Sequence, residues 1–166
     1  MDDQERADPG RGGRSACEFD ADALRLRLDT TIPGTPSAIP PVVERIMKVV
    51  EELGCARDQE YEIRLALSEA LANAVLHGCH GDPNQCVQIG VECDPERGML
   101  IVVRDPGAGF DPSQIPSPVV GEQLFRDRGR GIFLINQLMR EVSFNRRGTE
   151  IRMRPRTGGG AGGGEW

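Results

Sequence analysis

The segment Ser68-Glu69-Ala70-Leu71-Ala72-Asn73-Ala74-Val75-Leu76-His77-Gly78 ends a helix predicted to start near Asp58, a residue suited to capping, and to stop at Gly78. At about 100° per residue, Ile63, Leu67, Ala70, Leu71 and Ala74 gather on one side. Glu62, Glu69, Asn73 and His77 form a separate stripe, and Tyr61, Leu65, Ala72 and Leu76 lie opposite the first group. A helix that is apolar nearly all round belongs within a fold, so its polar stripe is expected to line a pocket and not to face open water.

The flanking segments supply a sheet for this helix to lie on. Leu24, Leu26 and Leu28 alternate with Arg25, Arg27 and Asp29, the period of a strand with one buried and one wet face. Past the turn Pro33-Gly34-Thr35-Pro36, Ile39, Val42, Val43, Ile46, Met47, Val50 and Leu53 recur at helical spacing and stop at Gly54. Strands over 86–93 and 98–105 are joined by the turn Asp94-Pro95-Glu96-Arg97-Gly98. A long Pro- and Gly-containing connection, 106–131, precedes a third helix over 132–140. A closing hairpin pairs 142–145 with 150–153 around Arg146-Arg147-Gly148-Thr149.

That order of elements, with most strands joined by hairpins, predicts an α+β fold. It is a two-layer α/β sandwich whose mixed, mostly antiparallel sheet carries about three helices on one face. Residues 21–155 form the one expected domain. Disordered tails are expected at 1–20 and at 156–166, the latter rich in glycine that cannot offset its ordering entropy by burial.

Glu69 and Asn73 are i and i+4 neighbours, close enough to serve one ligand. The Asn73 amide offers a neutral oxygen to a hard cation, and Mg²⁺ takes one or two protein oxygens while phosphates and waters complete its octahedron. The Glu69 carboxylate, one turn earlier, suits removal of a proton from an attacking hydroxyl. The same pair reads equally well as a solvated helix stripe.

Asp105 extends the buried row Met99, Ile101 and Val103 with a carboxylate, a costly placement without a hydrogen-bond donor. An adenine amino group is such a donor, and Gly107 and Gly109 in Asp105-Pro106-Gly107-Ala108-Gly109-Phe110 let the main chain approach a flat ring. A tight turn capped by Asp105 is the competing reading. Arg128-Gly129-Arg130-Gly131 runs directly into Ile132-Phe133-Leu134-Ile135, and glycines at a helix N-terminus present amides to an anion such as a polyphosphate. Arg126, Arg128 and Arg130 add positive charge, as an arginine-rich surface lid would without touching a ligand.

With 166 residues, 38% hydrophobic and 28% charged, the chain holds one domain with a real core, and no apolar run approaches the length of a membrane helix. A net charge of −6 opposes non-specific nucleic-acid binding, which relies on clustered Lys and Arg. Residues 1–15 lack the apolar core of a secretion signal, so a cytoplasmic location is expected. Cys17, Cys55, Cys79, Cys86 and Cys93 are an odd, dispersed set and read as reduced thiols. Cys86 and Cys93 stand an odd number of positions apart on one predicted strand and point to opposite faces, which argues against a zinc site shared with Cys79 and His80. Leu100 and Val102 face away from Met99 and Ile101, so the open side of the sheet is partly apolar, as in a homodimer or partner surface or one covered by a tail.

Taken in order, Glu69 to Ala74, Asp105 to Gly109, Gly129 to Gly131 and Gly148-Thr149 resemble the N-box and glycine-containing motifs of the GHKL-type ATP-binding domain. This is the Bergerat fold of gyrase-type ATPases and histidine kinases, and the resemblance covers about residues 21–155. Within that group, Ser68-Glu69-Ala70, Asn73 to Gly78 and Arg128 to Ile132 are similar to the anti-sigma factor serine/threonine kinases. The resemblance implies ATP and Mg²⁺ as cofactors, and transfer of the γ-phosphate to a Ser or Thr of an anti-sigma factor antagonist. Capture of a sigma factor is a further implied role, and an ATP-binding regulatory module that captures such a regulator without phosphotransfer is the alternative.

The resemblance also implies roles. Glu69 is the catalytic base, Asn73 the Mg²⁺ ligand and Asp105 the adenine anchor. Gly107, Gly109, Gly129 and Gly131 form the loops around the nucleotide, Thr149 supports the adenine contact, and an arginine in 126–128, with Arg128 among the nucleotide-binding residues, reaches the γ-phosphate. Residues 111–128 are expected to act as a lid. Leu76 stands where many histidine kinases carry a basic residue, which removes that phosphate contact. Direct nucleic-acid and membrane partners are not expected.

Overall fold

In the computed structural model the described residues are 26–56, 58–94, 97–114 and 127–156. The expected tail at 1–20, Leu24, the tail from 157 onward and most of the expected lid fall outside them. Strand β1 (Leu26–Pro33) keeps the alternation read from the sequence, with Arg27, Asp29 and Thr31 exposed and Leu28, Thr30 and Ile32 on the covered side. A 3₁₀ turn, Pro36–Ala38, leads into helix α1 (Ile39–Glu52), which buries Val42, Val43, Ile46, Met47 and Val50. Helix α2 (Glu60–Asn73) follows, with Gln59 at its cap position and not Asp58 as expected, because Asp58 has φ +66° and lies off the helical path. Glu60 and Glu62 in its first turn complement the positive end of the helix dipole.

The remaining elements are β2 (Cys86–Asp94), β3 (Gly98–Arg104), α3 (Asp127–Leu138), β4 (Glu141–Asn145) and β5 (Glu150–Arg154). The strands lie in the order β1-β2-β3-β5-β4. The architecture is the expected α+β sandwich, refined in one respect: the sequence reading allowed a mixed sheet, and all four pairings are antiparallel. Two helices intervene between β1 and β2, one leaving and one returning, so Pro33 at the end of β1 pairs with Cys86 at the start of β2. The β3-α3-β4 crossover does give two strands of like direction, but β5 is inserted between them.

One face of the sheet meets the helices. Val91 pairs with Ile101, Ile89 with Val103 and Val103 with Ile151, all buried under α1, α2 and α3. The opposite face carries Gln88, Gly90, Leu100, Val102, Arg104 and Arg152. On that face Glu150 is 1% exposed. Arg104 lies directly across from it on β3, and its Nε donates to Glu150 Oε2 at 2.8 Å while its Nη2 bonds the same oxygen. Arg152 Nε donates to Oε1 at 2.8 Å, Asn145 Nδ2 to Oε1 at 3.3 Å, and Arg146 stands 3.4 Å from Oε2. Burial alone would raise the carboxyl pKa, but the hydrogen bonds from Arg152, Arg104 and Asn145 hold it at about 2. The β4–β5 hairpin is thereby fastened to β3.

Cys55 and Cys93 are joined in a disulfide, which corrects the reading of the cysteines as reduced thiols. Cys93 lies on the helix-facing side of β2 where the α1–α2 loop passes, a proximity that a separation of 38 positions conceals in the sequence. Cys79, buried, and Cys86, exposed, are free thiols. Among the described residues no group of three or more His, Cys, Asp or Glu is placed to hold a metal ion, and no helix is long and apolar enough to cross a membrane.

Candidate functional site

Helix α2 changes pitch at its C-terminal end. After Asn73 the chain makes a π turn, Ala74–Gly78, in which the Cys79 N–H donates to the Ala74 carbonyl at 2.9 Å. Such turns concentrate at functional sites because the wider winding re-aims the side chains that follow it. Here His77 faces the same pocket as Asn73. Gly78 meets the next loop so closely that a Cβ on it would lie 2.3 Å from Asp105 Cγ. The expected helix to His77 is thus α-helical only as far as Asn73.

Asp105 leaves β3 at the position the alternation predicts, half-buried behind Val103. Its own N–H donates to the Thr149 carbonyl at 2.9 Å, and its Oδ1 accepts from the Gly107 N–H at 2.8 Å. Gly109 takes φ +79°, and a Cβ there would lie 2.0 Å from the Arg147 carbonyl oxygen, so no larger residue fits. That carbonyl accepts the Phe110 N–H at 2.9 Å, and the Thr149 hydroxyl donates to Arg146 O at 2.8 Å. The Asp105 loop and the β4–β5 turn are therefore one interlocked unit, itself fastened to the sheet by Glu150.

Between this unit and α2 opens a pocket. Asn73, His77, Asp105 and Thr149 supply its polar groups, while Val103, Phe110, Ile132, Phe144 and Ile151 supply apolar walls. Phe110 and Phe144 meet edge to face, with ring centroids 5.4 Å apart. An apolar slot with a few convergent polar groups suits a flat heteroaromatic ligand.

Of the residues singled out from sequence, Asn73, Asp105, Gly109 and Thr149 line this pocket, and Gly107 stands behind Asp105. Glu69, half-buried, is not part of the lining. It adjoins the pocket on the α3 side, where a Cβ on Gly131 would lie 2.9 Å from Glu69 Oε2 and 3.1 Å from Asn73 Nδ2. The absence of a side chain at 131 lets α3 close onto both groups.

The glycines of the Gly129–Gly131 motif were expected in a loop before a helix starting at Ile132. The helix instead begins at Asp127 and includes both. Burial of Ile132 and Ile135, and the packing of α3 on α2, sustain a helical path that two glycines each disfavour by about 1 kcal/mol. Gly129 has nothing within 4 Å of where its side chain would begin and is not among the residues that line the pocket. The side chain of Arg128, and Arg126, fall outside the described residues.

Sequence reasoning missed Phe110, Ile132 and Phe144 as pocket walls and gave His77 no role beyond the polar stripe. Phe110 had a signal, its place directly after Gly109; Phe144 and Ile132 stood only within a predicted strand and a predicted helix. The donor set fits a divalent cation in one way. The Asn73 amide offers one neutral oxygen, which suits Mg²⁺ that takes its other ligands from phosphates and water.

A two-layer antiparallel sandwich with a pocket between its second helix and a glycine loop defines a GHKL-type ATP-binding module. Residues 32–155 match the histidine kinase-like ATPase domain, and the chain belongs to that family. Among curated relatives it is similar to the anti-sigma F factor of Geobacillus stearothermophilus, 34% identical over 96 residues, covering 56% of this chain and 64% of that protein. It is also similar to the serine-protein kinase RsbW of Bacillus subtilis (strain 168), 27% identical over 135 residues, covering 76% of this chain and 82% of the relative. A second RsbW, from Oceanobacillus iheyensis, is 25% identical over 124 residues, with 71% and 78% covered. The match thus spans just under two thirds of the anti-sigma F factor's length.

Proposed function

We propose that this chain is an ATP-dependent serine/threonine protein kinase of the anti-sigma factor type, acting in the cytoplasm on an anti-sigma factor antagonist and sequestering a sigma factor. The observation that carries the proposal is the meeting of Glu69, Asn73 and Gly131 beside the pocket that holds Asp105. The names of its relatives, an anti-sigma factor and a serine-protein kinase, support the choice of reaction.

In this reading adenine enters the Phe110–Phe144 slot with its amino group on the Asp105 carboxylate, while Thr149 supports that edge. Gly107 and Gly109 let the main chain lie against the ring. The triphosphate then extends toward Asn73, with Gly129, Gly131 and Arg128 on the α3 side. Asn73 is the residue that would hold Mg²⁺, and that ion would offset charge on the phosphate oxygens. Glu69 accepts the proton of the incoming serine or threonine hydroxyl. The hydroxyl oxygen bonds to the γ-phosphorus, the bond to the bridging oxygen breaks, and ADP carries that electron pair away.

The second reading, an ATP-binding module that captures a regulator without phosphotransfer, is favoured by one observation: Glu69 stands outside the pocket lining. A homodimer through the open face of the sheet, around Leu100 and Val102, is part of either reading. The deciding experiment incubates the full chain with γ-labelled ATP, Mg²⁺ and candidate antagonist proteins, then maps the label. Phosphoserine or phosphothreonine on one antagonist is the expected result. Tight ATP-dependent capture of a partner with no label transferred would establish the second reading instead.

A further inference from the structure

We infer that Cys55 and Cys93 form a reversible redox staple that sets the stability of the domain without acting on its nucleotide pocket. Cys55 lies in the α1–α2 loop, between Gly54, with φ +66°, and the buried Ala56. Cys93 lies near the end of β2, opposite Leu26 of β1 and Met99 of β3. Their Cα atoms are 6.3 Å apart, inside the range a disulfide spans without backbone movement. Both residues are partly exposed, so a small thiol or disulfide can reach them.

The pairing is selective among the described cysteines. Cys79 is buried, and burial together with the nearby Asp105 pushes its thiol pKa up, which lowers its nucleophilic thiolate fraction. Cys86 is exposed but stands at the opposite end of the same strand from Cys93 and on its other face, on the order of 20 Å away. Neither can enter the Cys55–Cys93 bond without unfolding. In a reducing compartment the pair rests as thiols, and it closes when a low-molecular-weight disulfide accumulates.

Closure is a two-step exchange. One cysteine thiolate attacks a sulfur of oxidised glutathione, forming a mixed disulfide and releasing one glutathione thiolate. The other cysteine thiolate then attacks the protein sulfur of that mixed disulfide and releases the second. Two electrons pass from the cysteines to the glutathione disulfide, and the two cysteine protons end on the two released glutathiones.

The bond ties the α1–α2 loop to the sheet and closes a ring of chain whose ends are 38 positions apart. Asn73 lies at the other end of α2, about 20 Å along the helix axis. Oxidation therefore narrows the unfolded ensemble while leaving the pocket as it is.

The test uses the full chain, reduced with dithiothreitol or incubated with oxidised glutathione, followed by peptide mapping, thermal unfolding and ATP titration. The expected result is a 55–93 crosslink, reversed by dithiothreitol, and a thermal midpoint higher by on the order of 5–10 °C in the oxidised form, with ATP affinity the same in both. Cys93→Ser should abolish the shift and Cys86→Ser should keep it. Should Cys93→Ser fail to fold, reduced chain alkylated with iodoacetamide serves as the open form. A crosslink between other cysteines, a stable mixed disulfide with glutathione, or equal midpoints for the two states would overturn the inference.

Discussion

Glu69 and Asn73 share one stripe of α2 but are assigned to different steps, so substitutions should separate them. Asn73→Ala should weaken Mg-ATP binding itself, since the triphosphate loses the protein oxygen that shares its cation. Glu69→Gln keeps the shape beside Gly131 and should leave ATP affinity nearly intact while lowering phosphotransfer roughly 10²- to 10⁴-fold. Calorimetry and a phosphotransfer assay on both variants check this, and an unimpaired Glu69→Gln kinase would remove Glu69 from the mechanism. Glu150 makes a prediction about acid instead. Its pKa falls from an ordinary 4.5 to about 2 on folding, so its stabilisation is complete above pH 4.5 and is lost as pH drops toward 2. The wild-type chain should lose roughly 2–3 kcal/mol across that window from this group. Glu150→Gln should be less stable at neutral pH and should not show that loss, measured by denaturant titration at pH 7, 4 and 3.

Helix α3 is where local signals and the observed element part company. Gly129 and Gly131 read as a loop because glycine is the strongest local breaker, yet apolar residues further along carry the helix back to Asp127. The two glycines should therefore answer differently to a methyl group. Gly129→Ala has open space and should raise the thermal midpoint by a few degrees, from about 1 kcal/mol of helix propensity. Gly131→Ala gains the same propensity but pushes on Glu69 and Asn73, so it should lower phosphotransfer with little net stabilisation. Equal effects of the two variants on transfer would show that the approach of α3 to Glu69 has no functional weight. The other elements were legible because each has its own period: alternation in β2 and β3, a 3.6-residue stripe in α1. The order of strands was not, since the insertion of β5 between β3 and β4 depends on pairings that no local pattern encodes. The same holds for the site. Asp105, Asn73 and the glycines stood out as chemistry, while Phe144 enters the pocket only through the fold of a distant hairpin, and Arg104 meets Glu150 only through strand register.

The pocket draws its walls from α2, α3, β3 and the β4–β5 hairpin, so a nucleotide seated in it bridges the helical layer and the sheet. A ligand that binds only the folded chain stabilises it by RT ln(1 + [L]/Kd), about 2.7 kcal/mol at a hundredfold excess over Kd. For a domain of this size that corresponds to a rise in thermal midpoint of roughly 5–10 °C. Mg-ATP and Mg-ADP should both produce it, because the adenine contact proposed for Asp105 is common to the two. With EDTA in place of Mg²⁺ the rise should shrink for ATP, since Asn73 then loses its link to the phosphates. Asn73→Ala should show the smaller rise whether or not Mg²⁺ is present, and Asp105→Asn should lose most of the rise under every condition. Differential scanning fluorimetry of the three proteins with ATP, ADP and GTP checks the set. A midpoint that moves equally with ATP and GTP would detach Asp105 from adenine selection, and one that ignores EDTA in the wild-type chain would detach Asn73 from the metal.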